Sequence, residues 1–164
     1  QRLAAVQGNN SVAGLNKSDI DKPYKVGYIA GVFDLFHIGH LNMFKRAKEQ
    51  CRYLIVGVVS DEGVRLNKQA EPFVPFDERI EMVRSCKYVD EAIKLPLDFC
   101  GTRDMFKIYH FDVQFSGSDY EHDPAWLAEK EFLEKNGSTM VFFPYTQSTS
   151  STKLKRAIEN RINN

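Results

Sequence analysis

Gly31-Val32-Phe33-Asp34-Leu35-Phe36-His37-Ile38-Gly39-His40 stands between an apolar run at 25–33 and a stretch at 39–50, where Leu41, Phe44, Ala47 and Lys48 recur at helical spacing. A strand, a glycine-bearing turn and a helix in that order open a βα unit. Gly31 at the strand end lets a ligand approach the backbone, and the helix N-terminus offers unpaired N–H groups and a positive dipole to an anion. His37 and His40 lie three apart and share a face, with Gly39 leaving the space between them open. Two imidazoles so placed can donate hydrogen bonds to oxygens that gain charge during phosphoryl-type transfer. They could also be zinc ligands, although no third ligand follows at helical spacing, or a helix cap beside a core histidine. A helix dipole disfavours imidazolium at its positive end, so stability alone would not select histidine here. That conflict favours a functional pair.

Outward from this turn, short apolar runs at 53–59, 92–95, 113–116 and 139–143 read as further strands. They alternate with candidate helices at 77–86, 102–110, 124–135 and 151–161. The helix at 124–135 has the clearest bounds, with Asp123 as N-cap, Pro124 in the first turn and Gly137 just beyond the end. Two of the strands are rich in Val and Ile with little polar alternation, which predicts a mainly parallel sheet covered on both faces. The expected fold is therefore a Rossmann-like three-layer α/β/α domain, whose ligands bind at the carboxyl ends of the strands. Residues 1–22, rich in Gly, Asn, Ser and charge, read as a flexible tail or linker, and 23–164 as one compact domain.

The 164 residues carry 22 basic and 22 acidic side chains, a net charge of zero, with 43% hydrophobic and 27% charged residues. That balance argues against a nucleic-acid binder or a polybasic membrane peptide. No apolar stretch approaches the ~18–20 residues that span a bilayer, so membrane insertion is not expected. Cys51, Cys86 and Cys100 are widely spaced and odd in number, which suits a reducing, cytoplasmic setting better than a disulfide framework.

The stretch GVFDLFHIGH resembles the H-x-G-H signature of the nucleotidyltransferase superfamily. Residues 28–62, Glu78-Arg79, Lys87 to Glu91, Gly117 to Tyr120 and Thr146 to Lys155 are similar, in order and spacing, to the glycerol-3-phosphate, ethanolamine-phosphate and choline-phosphate cytidylyltransferases. The resemblance implies transfer of CMP from CTP to a small phosphorylated alcohol, giving a CDP-alcohol and pyrophosphate. Glycerol 3-phosphate is the first choice of acceptor, then phosphoethanolamine or phosphocholine. It also implies Mg²⁺ brought with CTP rather than held by a ligand motif, and a homodimer. Two alternatives are an adenylyltransferase of the same superfamily, of the heptose-phosphate or FMN type, and a catalytically impaired nucleotide-binding module.

Carried over motif by motif, the resemblance assigns His37 and His40 to the triphosphate and the developing charge, beside Gly31, Val32, Phe33 and Gly39. Lys68 falls in the polar stretch 65–70, where relatives carry a mobile lysine-bearing loop, with Arg65 as the fallback. Arg79, behind the acids Asp77 and Glu78, is expected to face the nucleotide from the core side, though a surface salt bridge would also explain it. Lys87 is expected at the nucleotide, where bacterial glycerol-phosphate enzymes show arginine. Gly117 and Asp119 follow a strand end and are assigned to the nucleotide, while Phe99, Tyr120 and Trp126 are candidates for the acceptor pocket. Thr146, Ser150, Ser151 and Thr152 are expected to face phosphate at the start of the last helix. Tyr145, Gln147 and Ser148 depart from the Arg, Glu and Gly usual in that segment, which implies weaker triphosphate affinity, replacement of the missing arginine by another cation such as Arg103 or Lys155, or a different acceptor. Despite the neutral total, His37, His40, Lys68, Arg79, Lys87 and Lys153 are expected to form one cationic pocket.

Overall fold

A computed structural model describes residues 17–97, 101–144 and 150–164. Phe99, Cys100, Tyr145, Thr146, Gln147 and Ser148 lie outside the described residues. Five strands, β1 (Tyr24–Gly31), β2 (Cys51–Val59), β3 (Glu91–Leu95), β4 (Val113–Gly117) and β5 (Thr139–Phe143), pair in the order β3-β2-β1-β4-β5. Every pairing is parallel, with Gly31 opposite Val58 and Gly117 opposite Phe143 at the carboxyl ends. The chain winds outward from β1 to β3, then crosses back to β4 on the other side of β1. The switch point thus lies between β1 and β4, where such sheets open a crevice.

Alternation along the strands divides the core. Ile29, Leu54, Val56 and Val58 turn to one face, where they pack with Phe44 and Ala47 of helix α1 (Ile38–Gln50) and with Ile80 and Val83 of α3 (Phe76–Ser85). Val26, Tyr28, Tyr53 and Ile55 turn to the other, against Met105 of α4 (Thr102–Tyr109) and Leu133 of α5 (Pro124–Lys135). The final helix is α6 (Ser151–Asn163). No helix among the described residues is long and apolar enough to cross a membrane.

Three features differ from expectation. First, β1 stops at Gly31 rather than residue 33, because Phe33 (φ 56°) and Leu35 (φ 50°) take the left-handed conformation and turn the chain. Second, the polar stretch expected as a loop is helix α2 (Asp61–Lys68). Its signals are in caps rather than periodicity: Ser60 Oγ accepts from Gly63 N, acids open the first turn, and Arg65 and Lys68 close the last. Third, within 1–22, of which residues 1–16 lie outside the described residues, Lys17–Ile20 forms one helical turn, and Arg52 donates to the carbonyl of Ile20.

Candidate functional site

Two helix N-termini meet at the switch point. His37 caps α1, and Ser150 caps α6 through a bond from Lys153 N to Ser150 Oγ. Between them and the ends of β4 and β5 lies a cleft of about 230 Å³ lined by His37, Gly39, His40, Gly117, Ser150, Ser151 and Thr152, together with Asn42, Met43, Arg46, Phe143 and Pro144.

The histidines are tightly defined. Gly39 N donates to His37 Nδ1 at 3.0 Å, and His37 N donates to His40 Nδ1 at 3.3 Å, a reciprocal capping box made from imidazoles. Because a backbone N–H approaches each Nδ1, each Nδ1 must present a lone pair, and the proton of the neutral ring resides on Nε2. The rings lie 3.9 Å apart between centroids, and Phe33 and Phe36 pack against His40. Burial holds the pKa of His37 below the usual histidine value. For His40, burial first and the neighbouring His37 second push it down to about 3, against a smaller opposing effect of Asp34. At neutral pH the pair is uncharged and offers two Nε2–H donors in a cleft rimmed by helix N-termini.

The turn itself is held from below. The Asp34 carboxylate, 3% exposed, accepts from the backbone N–H groups of Leu35, Phe73 and Val74 and pairs with Lys155 Nζ at 3.2 Å. These backbone donors and Lys155 outweigh burial and keep its carboxyl below the ordinary aspartate value. Ser151 Oγ donates to the Asp34 carbonyl, so one residue ties the β1–α1 turn to the start of α6. Gly31 has no room for a side chain, since a Cβ there would come within 2.7 Å of the Phe33 ring. The two left-handed residues are tolerated because these contacts over-determine the turn.

Arg79 is 1% exposed and lies beneath this turn rather than in the cleft wall. It donates from Nε to Val74 O (2.9 Å), from Nη1 to Val32 O (2.7 Å) and Val59 O (2.9 Å), and from Nη2 to Asp61 Oδ1 (2.6 Å). Its guanidinium is committed to backbone carbonyls, where the sequence suggested a group facing the nucleotide. Val32 and Phe33 therefore belong to the turn's framework, with Phe33 buried against His40 and Phe44.

Lys68 is exposed at the end of α2 and is not among the cleft residues. Lys87 is remote from the cleft in this chain. It precedes β3 at the amino-terminal edge of the sheet, where its ammonium sits 5.2 Å from the Tyr88 ring centroid and Asp90 pairs with Lys48. The physical reason is directional: in a parallel sheet, the residues just before a strand lie opposite the ligand-binding edge. Asp119 is exposed on a single 3₁₀ turn, Ser118–Tyr120, after β4. Tyr120 stacks on Trp126 at 4.5 Å, beside the cleft rather than in its lining.

Neither proposed substitute cation reaches the cleft. Arg103 pairs with Glu129 and covers the Phe132 ring, while Lys155 is held by Asp34 and Phe73. The cationic side chain in the lining is Arg46, which sequence reading missed along with Asn42, Met43, Phe143 and Pro144. The signal was available: Gly39, Met43 and Arg46 step along one face of α1, complementary to the core face of Phe44 and Ala47. Among the described residues, no cluster of three or more His, Cys, Asp or Glu could hold a metal, and the cleft lining carries no carboxylate.

Residues 28–157 match the cytidylyltransferase-like family model. The chain is 36% identical to FAD synthase of Thermococcus kodakarensis, over 82% of this chain and 89% of that protein. It is 32% identical to glycerol-3-phosphate cytidylyltransferase of Bacillus subtilis, over 78% of this chain and 92% of the relative. To ethanolamine-phosphate cytidylyltransferase of Dictyostelium discoideum it is 34% identical over 84% of its own length, spanning only 39% of that longer protein. With a histidine-capped helix at the switch point of a five-stranded parallel sheet, and sequence similarity from β1 into α6, the chain belongs to the cytidylyltransferase-like family of nucleotidyltransferases.

Proposed function

We propose that the protein transfers CMP from CTP to a small phosphorylated alcohol, with glycerol 3-phosphate the first choice of acceptor and phosphoethanolamine or phosphocholine the next. The observation that carries this reading is the imidazole capping box, because it leaves two neutral Nε2–H donors at a helix N-terminus. An acceptor phosphate oxygen attacks the α-phosphorus in line. The new O–P bond forms as the bond from that phosphorus to the bridging oxygen breaks, and pyrophosphate leaves with the electron pair. No protein nucleophile is required, so rate comes from positioning and from donors that meet charge as it develops. His37 and His40 supply such donors, with the N–H groups at Ser151 and Thr152 on the opposite wall. Asp34 and Arg79 act through the turn they hold.

Mg²⁺ carried with CTP would neutralise charge on the triphosphate, and the described cleft residues would hold the nucleotide rather than the ion. Lys68, on its exposed helix end, closes toward the phosphates when both substrates are bound, and Asp119, Tyr120 and Trp126 border the acceptor. The working form is a homodimer in a reducing, cytoplasmic compartment.

FMN adenylylation is the second reading, favoured by the similarity to FAD synthase along nearly the whole of that protein. Pyrophosphate release with CTP or ATP against a panel of phosphoalcohols and FMN separates the two. His37→Ala and His40→Ala must abolish most of the signal. A parent that binds CTP yet releases no pyrophosphate with any acceptor would leave only the impaired nucleotide-binding module.

A further inference from the structure

The cleft is chemically two-ended. One end has the helix N-termini and the His37–His40 pair; the other is a slot between α1 and the end of β5, with Met43 and Phe143 as apolar walls. Arg46 stands in this second end. It lies seven residues beyond Gly39, a rise of about 10 Å along the helix, and helical side chains lean back toward the N-terminus. Its Nη1 donates to the carbonyl of Pro144 at 3.0 Å, and none of the ion pairs found among the described residues includes it.

The helix N-termini and the His37–His40 pair already offer donors to the phosphates at their end of the cleft, which leaves the Arg46 guanidinium, held at the Pro144 carbonyl, for the rest of the nucleotide. With a triphosphate at the histidines, the slot beside Arg46 receives the base. We propose that Arg46, paired with the Pro144 carbonyl, reads the base edge and selects cytosine; this rests on the nucleotidyl-transfer reading above. Two free guanidinium N–H groups beside one carbonyl form a donor, donor, acceptor row. Cytosine presents the complement: O2 and N3 accept, and the N4 amino group donates. Uracil has the same shape but places N3–H against a donor and O4 against the carbonyl, two like pairs in a confined slot. Adenine can donate its amino group to Pro144 and accept at N1, leaving the second guanidinium donor facing C2–H. The expected order is cytosine over adenine over uracil, and the apolar walls contribute equally to the two pyrimidines.

The test is calorimetric titration of the parent, Arg46→Leu and Arg46→Lys with CMP and UMP, alongside pyrophosphate release from CTP, UTP and ATP. Two reversed hydrogen bonds at about 1.5 kcal/mol each correspond to about 100-fold tighter binding of CMP than UMP by the parent. Arg46→Leu lowers that ratio at least tenfold, and Arg46→Lys, with its charge but no planar fork, falls between. Arg46 is part-exposed and makes one hydrogen bond among the described residues, so both variants retain the fold, which a thermal melt verifies. A ratio unchanged in Arg46→Leu, or equal weakening of CMP and UMP, overturns the base-reading role while leaving the transfer reaction standing. A parent that prefers UMP or makes no distinction also overturns it, and a parent that neither binds nor turns over any nucleotide overturns both readings.

Discussion

Replacing Arg79 with leucine separates a nucleotide contact from a structural clamp. The side chain has no solvent exposure and makes four hydrogen bonds, three to carbonyls at the ends of β1 and β2 and in the segment before α3, the fourth to Asp61. A hydrogen bond from a charged donor contributes about 1.5–3 kcal/mol net, and removing one partner of a buried ion pair costs about 3–5 kcal/mol. Asp61 keeps 24% of its side chain exposed and can recover water, and leucine refills part of the volume. Arg79→Leu is therefore expected to cost about 4 kcal/mol, much of the ~5–15 kcal/mol typical of a domain, and to lower Tm by about 8–16 °C. Arg79→Lys retains a charge opposite Asp61 but cannot span three carbonyls, and costs about half as much. Urea unfolding followed by circular dichroism gives the stability, and pyrophosphate release gives the activity of the fraction still folded. An Arg79→Leu protein within about 1 kcal/mol of the parent that has nevertheless lost nucleotide affinity would refute the clamp and restore the arginine to the substrate.

His37→Ala removes a helix cap worth about 1 kcal/mol and one developing-charge donor, so turnover falls about 100-fold or more; a fall under threefold argues against the donor role. Lowering the pH tests His40, whose folded pKa is about 3 against about 6.5 when unfolded. Between those values the unfolded chain binds a proton that the folded chain refuses, so stability rises with pH across the window and is about 2 kcal/mol lower at pH 5 than at pH 7.5 from this residue. Urea unfolding at both pH values should show a smaller difference in His40→Gln, and an identical difference would contradict the burial argument. Lys68→Ala is expected to lower turnover more than it weakens CTP binding, and unchanged kinetics would remove Lys68 from the reaction. Lys87→Ala, at the far edge of the sheet, should leave CTP affinity within twofold by titration, and a tenfold loss would mean the residue reaches a site by some route other than its own chain's cleft.

Local sequence was sufficient for the elements whose signals are local. The alternation of apolar strands with amphipathic helices specified a parallel α/β sheet, because strands buried on both faces have no polar face to alternate with. The strand, turn and helix around Gly31–His40 specified a histidine-capped helix N-terminus, and Ser150 to Thr152 declared a second helix start. Helix α2 escaped notice because only Gly63 and Val64 of its eight residues are buried, too few to register as a period. Which cations meet the cleft depended on long-range geometry. Arg79 spends its donors on carbonyls that are distant in sequence, Lys87 lies on the wrong edge of a parallel sheet, and Lys155 is taken by Asp34 from across the turn. Arg46 enters because the winding from β3 back to β4 lays the end of β5 against α1, placing the Pro144 carbonyl within reach of its guanidinium. The chain by itself determined that two histidines would stand at a helix start and that a second helix would start after Ser150. Only the tertiary structure decided which of 22 basic side chains stands with them, because strand order, not spacing along the chain, sets what crosses the switch point.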